Sequence, residues 1–348
     1  MWKKNKSIII PIALVVIAYI VCVVMINGGM MSRSLKGQLI PICAYIVMAI
    51  SLNLVVGVSG ELSLGHAGFM SIGAFSGVVM SGWLLNAFQM ENEWLRLLLA
   101  IICGGVFAGI GGVLIGIPVL RLRGDYLAIV TLAFGEIIRN VLNCLYFSVD
   151  GTRLRVTFND PNIAGTILVN GPQGAIKVEK IATFGGGFLL VLFSLIVILN
   201  LVHSRSGRAI MAIRDNRIAA ETTGLNVTKY KMMAFVLSAA LAGMAGALYG
   251  LSFSTFASAK FKFDTSINIL VFVVLGGIGN MTGSIIAATI LTVLPETLRA
   301  FSDYRMLAYA VVLIVVMLVT NNAMLKSYAN QAMGKLTVRK PKVGKEFY

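Results

Sequence analysis

The sequence predicts an all-α integral membrane protein with about ten membrane segments and with Gly-rich broken helices in both halves. Of its 348 residues, 58% are hydrophobic and 12% are charged, whereas soluble domains are about half apolar and a quarter charged. The apolar residues come in runs such as 8–26 and 97–120, close to or above the roughly 20 residues that an α-helix needs to cross a bilayer. The 36 glycines fit the same class, because glycine lets membrane helices pack closely.

Ten candidate crossings follow one another along the chain. They are residues 8–26, 39–57, 62–88, 95–120, 126–146, 187–203, 232–253, 266–279, 283–298 and 306–325. Gly-rich sequence interrupts this series within 62–88 and across 266–298, so these two places could be re-entrant instead of simple helices.

The crossings divide the chain into a first span with its outer loop, a main membrane domain and a basic tail. The predicted boundaries are 1–38, 39–325 and 326–348. Two long segments leave the membrane within the main domain, at about 147–186 and at about 203–231. Because the densest clusters of Lys and Arg lie at 205–231 and in the tail, the positive-inside rule places this loop and both termini in the cytoplasm and the segment 147–186 outside.

The segment 57–75 carries Gly, Ser and His through a region that should lie at membrane depth. Non-helical backbone is tolerated there only where it is buried in protein or faces a water-filled cavity. Ser63, His66 and Ser71 are therefore candidates for lining a polar path across the membrane. The alternative is a tightly packed helix whose few polar groups bond internally.

A second Gly-rich interruption, LGGIGNMTGS, occupies residues 275–284. Gly276, Gly277 and Asn280 are its candidate path-lining residues. One such break in each half of the chain is the pattern expected of a transporter with a central pathway.

Glu136 and Arg139 are ionisable residues inside a predicted span. Their spacing of three places them on one face of a helix, where they can neutralise each other. Charged groups in a span usually face the protein interior, because exposure to lipid is costly. We favour a structural ion pair over a direct contact with a substrate.

The cytoplasmic loop 203–231 is not disordered in character. Its apolar residues alternate with charged ones in an amphipathic helical pattern. The residues of this pattern are Ile210, Ile213, Arg214, Asp215, Arg217, Ile218 and Leu225. We therefore expect a helix that lies beside the membrane.

No enzymatic site is apparent in the sequence. It contains no G-x-x-x-x-G-K-[ST] loop for nucleotide phosphates, so any ATP hydrolysis would need a separate polypeptide. Residues 57–60 match the G-x-S-G of rhomboid-type proteases, but Ser59 and His203 both fall at the cytoplasmic edge, which is the wrong side for that chemistry. The net charge of +15 is explained by topology-fixing loops rather than by nucleic-acid binding. The four cysteines form no C-x-x-C pair, and we expect neither a metal site nor a cofactor.

Four motifs occur in order along the chain. They are SLNLVVGVSGELSLGHAGFMSIGAF, RGDYLAIVTLAFGEIIRNV, GRAIMAIRDNRIAAETTGLNVTKYKMMAFVLSAALAGMAGALYG and VFVVLGGIGNMTGSIIAATIL. Together they closely resemble the LivM-type permeases of the branched-chain amino acid ABC transporter family, over about Ser51 to Leu325. The resemblance makes 39–325 an ABC importer permease domain in a bacterial plasma (inner) membrane. It implies four kinds of partner: a LivH-type second permease subunit, two ABC ATPase subunits, an extracytoplasmic substrate-binding protein and the lipid bilayer.

The resemblance also implies a coupling helix within the cytoplasmic loop. ABC importer permeases present a short helix, marked E-A-A-x-x-x-G, to a groove on the ATPase, and residues 218–224 are IAAETTG. Ala219, Ala220 and Gly224 match this pattern, whereas Ile218 replaces the Glu. The small alanines would allow close approach, and Gly224 would let the chain turn away after the helix.

Arg214 and Asp215 lie shortly before this stretch and complete the expected coupling segment. The alternative for the whole segment is an amphipathic surface helix without a coupling role.

The substrate expected from the resemblance is a branched-chain or related amino acid. Relatives of this permease carry urea or short amides, and the binding protein largely sets the choice. A different class of transporter, driven by an ion gradient, would need a carboxylate inside the membrane that binds a proton or sodium. Glu136 is the best candidate, but its neighbour Arg139 makes that role less favourable.

Overall fold

The computed structural model describes residues 2–29, 31–122, 124–160 and 165–297, together with residues 310, 311 and 314, and gives side chains from residue 9 onward. The helices are α1 (Trp2–Asn27), α2 (Arg33–Asn53), α3 (His66–Phe88), α4 (Glu93–Val119), α5 (Asp125–Cys144), α6 (Phe184–His203), α7 (Arg205–Asp215), α8 (Arg217–Thr222), α9 (Val227–Gly250), α10 (Phe263–Gly276) and α11 (Met281–Thr297). A π-helix at Leu54–Ser59 continues α2, and 3-10 turns lie at Gly171–Gln173 and Ser258–Phe261.

The chain folds as two units, Met1–Val293 and Leu294–Tyr348. In the second unit, residues 294–297 form the last part of α11, and residues 310, 311 and 314 are helical. The packing described below belongs to the first unit.

Seven helices in the described part of the chain are long and apolar enough to cross a membrane. They are α1, α2 with its π-helical extension, α3, α4, α5, α6 and α9. The predicted crossings 266–279 and 283–298 correspond to α10 and α11, which are shorter, with 14 and 17 residues. The predicted crossing 306–325 lies outside the described residues, apart from 310, 311 and 314. The count of ten crossings is therefore not confirmed.

The interruption expected within 62–88 lies at the start of that range. The non-helical residues are 60–65, and α3 continues without a break from His66 to Phe88. The glycines of α3 serve close packing instead of bending the helix. A β-carbon at Gly73 would collide with the backbone of Gly243 in α9, so α3 and α9 touch backbone to backbone.

α4 joins α3 and α9 in the same way to form the centre of the bundle. A β-carbon at Gly104 of α4 would lie 2.9 Å from the Ala247 Cβ and 3.0 Å from the Gly73 carbonyl oxygen. Contacts this short leave no room for a larger side chain. The three helices therefore depend on small residues where they cross.

Three short strands form a small antiparallel sheet, which corrects the all-α prediction for the segment 147–186. Its strands are β1 (Leu145–Asp150), β2 (Arg153–Phe158) and β3 (Thr166–Asn170), in the order β2-β1-β3. Aromatic and β-branched residues, which favour strands, are frequent in these segments. A two-residue turn joins β1 to β2, with Gly151 at φ +60°.

The sheet marks one end of the bundle, and α7 and α8 mark the other. Helix α9 runs between the two ends: Val227 follows α8, and the residues after Gly250 reach the sheet segment. There, Ala175 and Phe256 form a β-bridge. We call these the sheet end and the α7–α8 end.

The first helix packs beside α6 through aromatic rings. Tyr19 stacks on Phe184 and Phe188, with ring centroids 5.2 and 4.0 Å apart. Helix α2 already begins at Arg33, inside the predicted segment 1–38.

Replacing Gly73 by Ala should destabilise the bundle. The added methyl group would strike the backbone of Gly243, and such overpacking costs about 1–3 kcal/mol, more than the roughly 0.5–1 kcal/mol that Ala gains over Gly within a helix. The matched control is Gly37→Ala in α2, where no atom in the described part of the chain lies within 4 Å of the added carbon. We expect a lower melting temperature in detergent for Gly73→Ala and an unchanged or slightly higher one for Gly37→Ala. Equal melting temperatures would contradict the close contact.

Candidate functional site

The first chain break forms where α2 ends at the α7–α8 end of the bundle. All six residues of the π-helix Leu54–Ser59 are buried. Gly60 then takes the left-handed conformation, at φ +74°, and turns the chain away. The amides of both Gly60 and Glu61 donate to the Val55 carbonyl. The Gly57 carbonyl, which would accept from Glu61 in a continuing α-helix, is therefore left for another donor.

The second break is the turn between α10 and α11. Gly277 and Gly279 both have positive φ, +92° and +84°, and the backbone N–H of Asn280 donates to the Gly277 carbonyl at 2.9 Å. The two helices leave the turn in direct contact, because a β-carbon at Gly283 would collide with the Gly276 carbonyl. Glycine is needed at these positions both for the turn and for the close approach.

Asn53 joins the two breaks. Its side chain is fully buried; Oδ1 accepts from the Gly279 amide at 2.8 Å, and Nδ2 donates to the Ser284 hydroxyl at 2.9 Å. The approach is possible because Gly57 lacks a side chain: a β-carbon there would lie 2.7 Å from Gly279 Cα. The Gly-rich interruptions of the two halves are thus in contact.

Arg214 of α7 supplies the missing donor to the first break. Its Nη1 donates to the Gly57 carbonyl at 2.8 Å, while Nε and Nη2 bind Asp215 Oδ1 at 3.0 and 2.9 Å. A second contact from the same end is the ion pair between Lys231 of α9 and Glu61, both of which are largely buried. The α7–α8 end is therefore bonded directly to the segment that follows α2.

Helices α7 and α8 are separated by a single residue, Asn216, and we call the pair the α7–α8 hairpin. The side chains of Ser204 and Asn216 cap the two helices, accepting from the Gly207 and Ala219 amides at 3.1 Å each. These are the residue types that favour helix N-termini.

A small apolar cluster holds the hairpin against α9. Its buried members are Ile213, Ala220 and Val227, and Leu225 and Tyr230 pack against them. Of the amphipathic pattern predicted for this loop, Ile213 and Leu225 thus pack within the chain, whereas Ile218 does not.

The structure places two of the predicted coupling residues, Ala219 and Ala220, on different surfaces. Ala219 is exposed, beside Ile218, whose side chain is 75% exposed. Ala220 is 5% exposed and faces the cluster with Ile213, because adjacent residues of a helix point in different directions. The coupling role of these residues stays a prediction.

Gly224 ends α8 as the sequence pattern predicts. It has φ +84°, its amide donates to Glu221, and the Leu225 amide donates back to the Ala220 carbonyl at 3.1 Å. This is the Schellman arrangement, in which glycine takes the left-handed position. No atom of the described residues lies within 4 Å of the position of a β-carbon at Gly224, so its conformation, rather than crowding, favours glycine.

The predicted path-lining residues of the first break are buried in the bundle. His66 Nε2 lies 2.8 Å from the Ser51 hydroxyl, and the Ser71 hydroxyl donates to the Gly68 carbonyl at 2.6 Å. The Ser63 hydroxyl is also buried, with no hydrogen-bond partner among the described residues. A role of Ser63, His66 and Ser71 in translocation stays a prediction.

The path-lining residues predicted for the second break lie in and beside the α10–α11 turn. Gly276 and Gly277 are half-buried, and Asn280 is exposed, with Oδ1 accepting from the Gly283 amide at 3.2 Å. The same turn contains Gly279, which contacts Gly57 of the first break. The role of Gly276, Gly277 and Asn280 in translocation also stays a prediction.

Glu136 and Arg139 form the expected contact on α5, with Arg139 Nε donating to Glu136 Oε2 at 2.7 Å. Their side chains are 32% and 23% exposed, so the pair sits at the edge of the described bundle. A purely structural role for it stays a prediction. Among the described residues, no three His, Cys, Asp or Glu side chains come together as a metal-binding group.

Sequence reasoning missed Asn53, Glu61 and Lys231. Asn53 carries a signal that could have found it. It is a polar amide in an apolar span, and such a group must find hydrogen-bond partners inside the protein. The sequence offers no comparable sign of which partners these are.

Comparison with known proteins places these features in a family. The model described as branched-chain amino acid transport system / permease component matches residues 34–320. The high-affinity branched-chain amino acid transport system permease proteins LivM of Escherichia coli K12 and Salmonella typhimurium are each 36% identical over 308 residues, covering 79% of this chain. The chain spans 66% of the length of these two relatives.

More distant relatives have other names. The permease protein LivH of Salmonella typhimurium is 25% identical over 281 residues, 79% of this chain and 89% of that protein. The nucleoside ABC transporter permease protein NupC of Lactococcus lactis is 27% identical over 207 residues, 56% of this chain and 60% of that protein. No solved structure matches the chain. With the family model covering 34–320, the chain belongs to the family of permease components of branched-chain amino acid transport systems.

Proposed function

We propose that this chain is a transmembrane permease subunit of an ATP-driven importer, and that it translocates branched-chain or related amino acids delivered by a binding protein. The observation that carries the proposal is the family match over 34–320, together with the names of the LivM relatives. The chain is a transport subunit and not an enzyme, and ATP is hydrolysed on separate ATPase subunits.

The α8 helix supports an ATPase partner. Ile218 is a large apolar side chain that is 75% exposed at the tip of the α7–α8 hairpin, and Ala219 beside it is small enough for close approach. An exposed apolar side chain on a helix outside the predicted spans suits a groove on a partner protein. The cluster of Ile213, Ala220 and Val227 holds the hairpin against α9 and leaves Ile218 exposed.

The full assembly contains a LivH-type second permease, two ABC ATPases and an extracytoplasmic binding protein. It lies in a bacterial plasma membrane, with both termini and the α7–α8 end in the cytoplasm. The sheet end is then outside, where β1, β2 and β3 offer a folded surface for the binding protein.

A transporter driven by an ion gradient is less well supported. Its coupling carboxylate would be Glu136, and that group is already engaged in an ion pair with Arg139 three residues along the same helix. Within the ATP-driven class, urea or short amides remain the alternative substrates, and a nucleoside permease among the relatives indicates that substrates differ between family members.

Uptake should require ATP. Proteoliposomes containing the chain, its permease partner and the two ATPases should accumulate leucine, isoleucine or valine when the binding protein and ATP are supplied. The chain alone should neither bind nor hydrolyse ATP, because its sequence has no phosphate loop. Uptake driven by a proton or sodium gradient without ATP would reject the proposal. ATP-driven uptake of urea or amides in place of amino acids would correct the substrate alone.

The two ends of the bundle should lie on opposite sides of the membrane. Thr152 in the β1–β2 turn and Ala212 on α7 are both exposed, so a cysteine at either position should leave the fold intact. In a background without the four native cysteines, a membrane-impermeant maleimide should label Thr152→Cys from outside and Ala212→Cys only in inverted vesicles. Labelling of both from one side would show that the assigned topology is wrong.

A charge on the exposed tip of α8 should weaken ATPase association without unfolding the chain. We expect Ile218→Glu to reach the membrane at normal levels but to recover much less ATPase in a pull-down, because an unpaired charge in an interface is costly. The matched control is Thr228→Glu, an exposed position in the first turn of α9. Ala220→Glu should instead disturb the apolar cluster and lower the stability of the chain itself. Normal ATPase recovery with Ile218→Glu would show that Ile218 is not part of the interface with the ATPase.

A further inference from the structure

Arg214 points away from the exposed tip of the α7–α8 hairpin. Its Nη1 reaches the Gly57 carbonyl, and its side chain packs on Gly60, where a β-carbon would lie 2.6 Å from Arg214 Cγ. Arg214 belongs to the predicted coupling segment, and its side chain reaches the membrane domain. The side chain thus connects the cytoplasm-facing hairpin of the proposed importer to the segment after α2.

The segment that Arg214 contacts has the properties of a hinge. A π-helix is a rare, single-turn departure from α-helical geometry, frequently found at functional sites. Here the π-helix Leu54–Ser59 ends at Gly60 with positive φ, so the backbone can change direction at that residue. The Gly57 carbonyl depends on Arg214, because the Glu61 amide donates to Val55 instead.

The connection continues beyond the π-helix. On its other side, Gly57 lies against Gly279, and Asn53 binds both the Gly279 amide and the Ser284 hydroxyl. Continuous contacts therefore link α7 to the π-helix through Arg214 and Gly57, and link the π-helix to the α10–α11 turn through Gly57 and Asn53. A displacement of α7 therefore has a short, hydrogen-bonded route to the second chain break.

We propose that Arg214 and Asn53 are positioning residues that transmit movement of the α7–α8 hairpin to the α10–α11 turn, with the π-helix Leu54–Ser59 as the hinge between them. The proposal rests on the function proposed above, because the movement is that imposed by the ATPase on the hairpin. It separates two tasks within the hairpin: the Ile218 tip binds the partner, and Arg214 passes the movement on.

The first test compares two arginines of α7. Arg214→Gln shortens the side chain and removes its charge, so the contact with Gly57 is lost. Arg208→Gln is the matched control, because Arg208 Nη1 also donates to a carbonyl, that of His203 at 3.4 Å, but does not reach the π-helix. In the reconstituted importer we expect Arg214→Gln to keep its ATPase subunits and its basal ATP hydrolysis. Substrate-stimulated hydrolysis and uptake should fall about tenfold, the lower end of the effect of losing a hydrogen bond to a charged group.

Arg208→Gln should behave as the native chain does. Arg214→Lys, which keeps a cationic donor, should recover part of the stimulation. A purely structural role of Arg214 would reduce assembly and basal hydrolysis together instead of separating them from stimulation. Normal stimulation in Arg214→Gln would overturn the proposal.

The second test follows the α10–α11 turn directly. Ile278 is 60% exposed in that turn, and Ile278→Cys, in a background without the native cysteines, provides a site for a thiol reagent. In the assembled importer we expect its labelling rate to differ between the nucleotide-free state and the state trapped with ATP and orthovanadate. Adding Arg214→Gln or Asn53→Ala should abolish that difference, whereas Arg208→Gln should preserve it.

The outcomes distinguish the two proposals. If the native chain shows neither ATPase association nor ATP-dependent uptake, the proposed function fails. If the native importer works and Ile278→Cys still responds to nucleotide in both the Arg214→Gln and the Asn53→Ala background, the function stands and the transmission route is wrong.

Discussion

Backbone groups that leave a helix at membrane depth must find partners within the protein, and the α7–α8 end of the bundle is arranged around this requirement. Asn53 meets it for the α10–α11 turn. Side chains of α5 and α10 supply acceptors for backbone amides at the start of α3. The Leu64 amide donates to Thr131 Oγ1 at 3.0 Å, and the Ala67 amide donates to Ser266 Oγ at 3.1 Å. Without these side chains the breaks would expose unpaired amides to an apolar surrounding.

The contacts of Asn53 and Thr131 are each accompanied by a glycine. Gly57 lets Asn53 reach Gly279, and a β-carbon at Gly65 would collide with the Thr131 carbonyl beside the Leu64 contact. A hydroxyl or amide on a short side chain can reach a backbone group only if the two chain segments nearly touch. Glycine and polar side chain therefore work as a pair, which explains why the Gly-rich motifs of the sequence also contain Ser and Asn.

The sequence predicts the membrane class, the family and the positions of the two breaks, because these depend on composition and on local motifs. It does not predict how the breaks meet, because the partners of Asn53 lie 226 and 231 residues away along the chain. The orientation of Ala220 was equally hidden: α8 has six residues, too few for its apolar pattern to define an inner face. The sheet was missed because its strands follow an apolar helix without a separating turn, so the alternation of side chains does not stand out.

That direct connection between α5 and β1 has a mechanical consequence. Leu145 follows Cys144 without a linker, and Asn143 at the same end of α5 binds Ser258, just before α10. Any displacement of the sheet would therefore reach α5 through the covalent backbone and the turn before α10 through a side-chain bond. Arg139 lies one to two helical turns before the end of α5, so it is the ion-paired group on that helix nearest to the sheet's attachment.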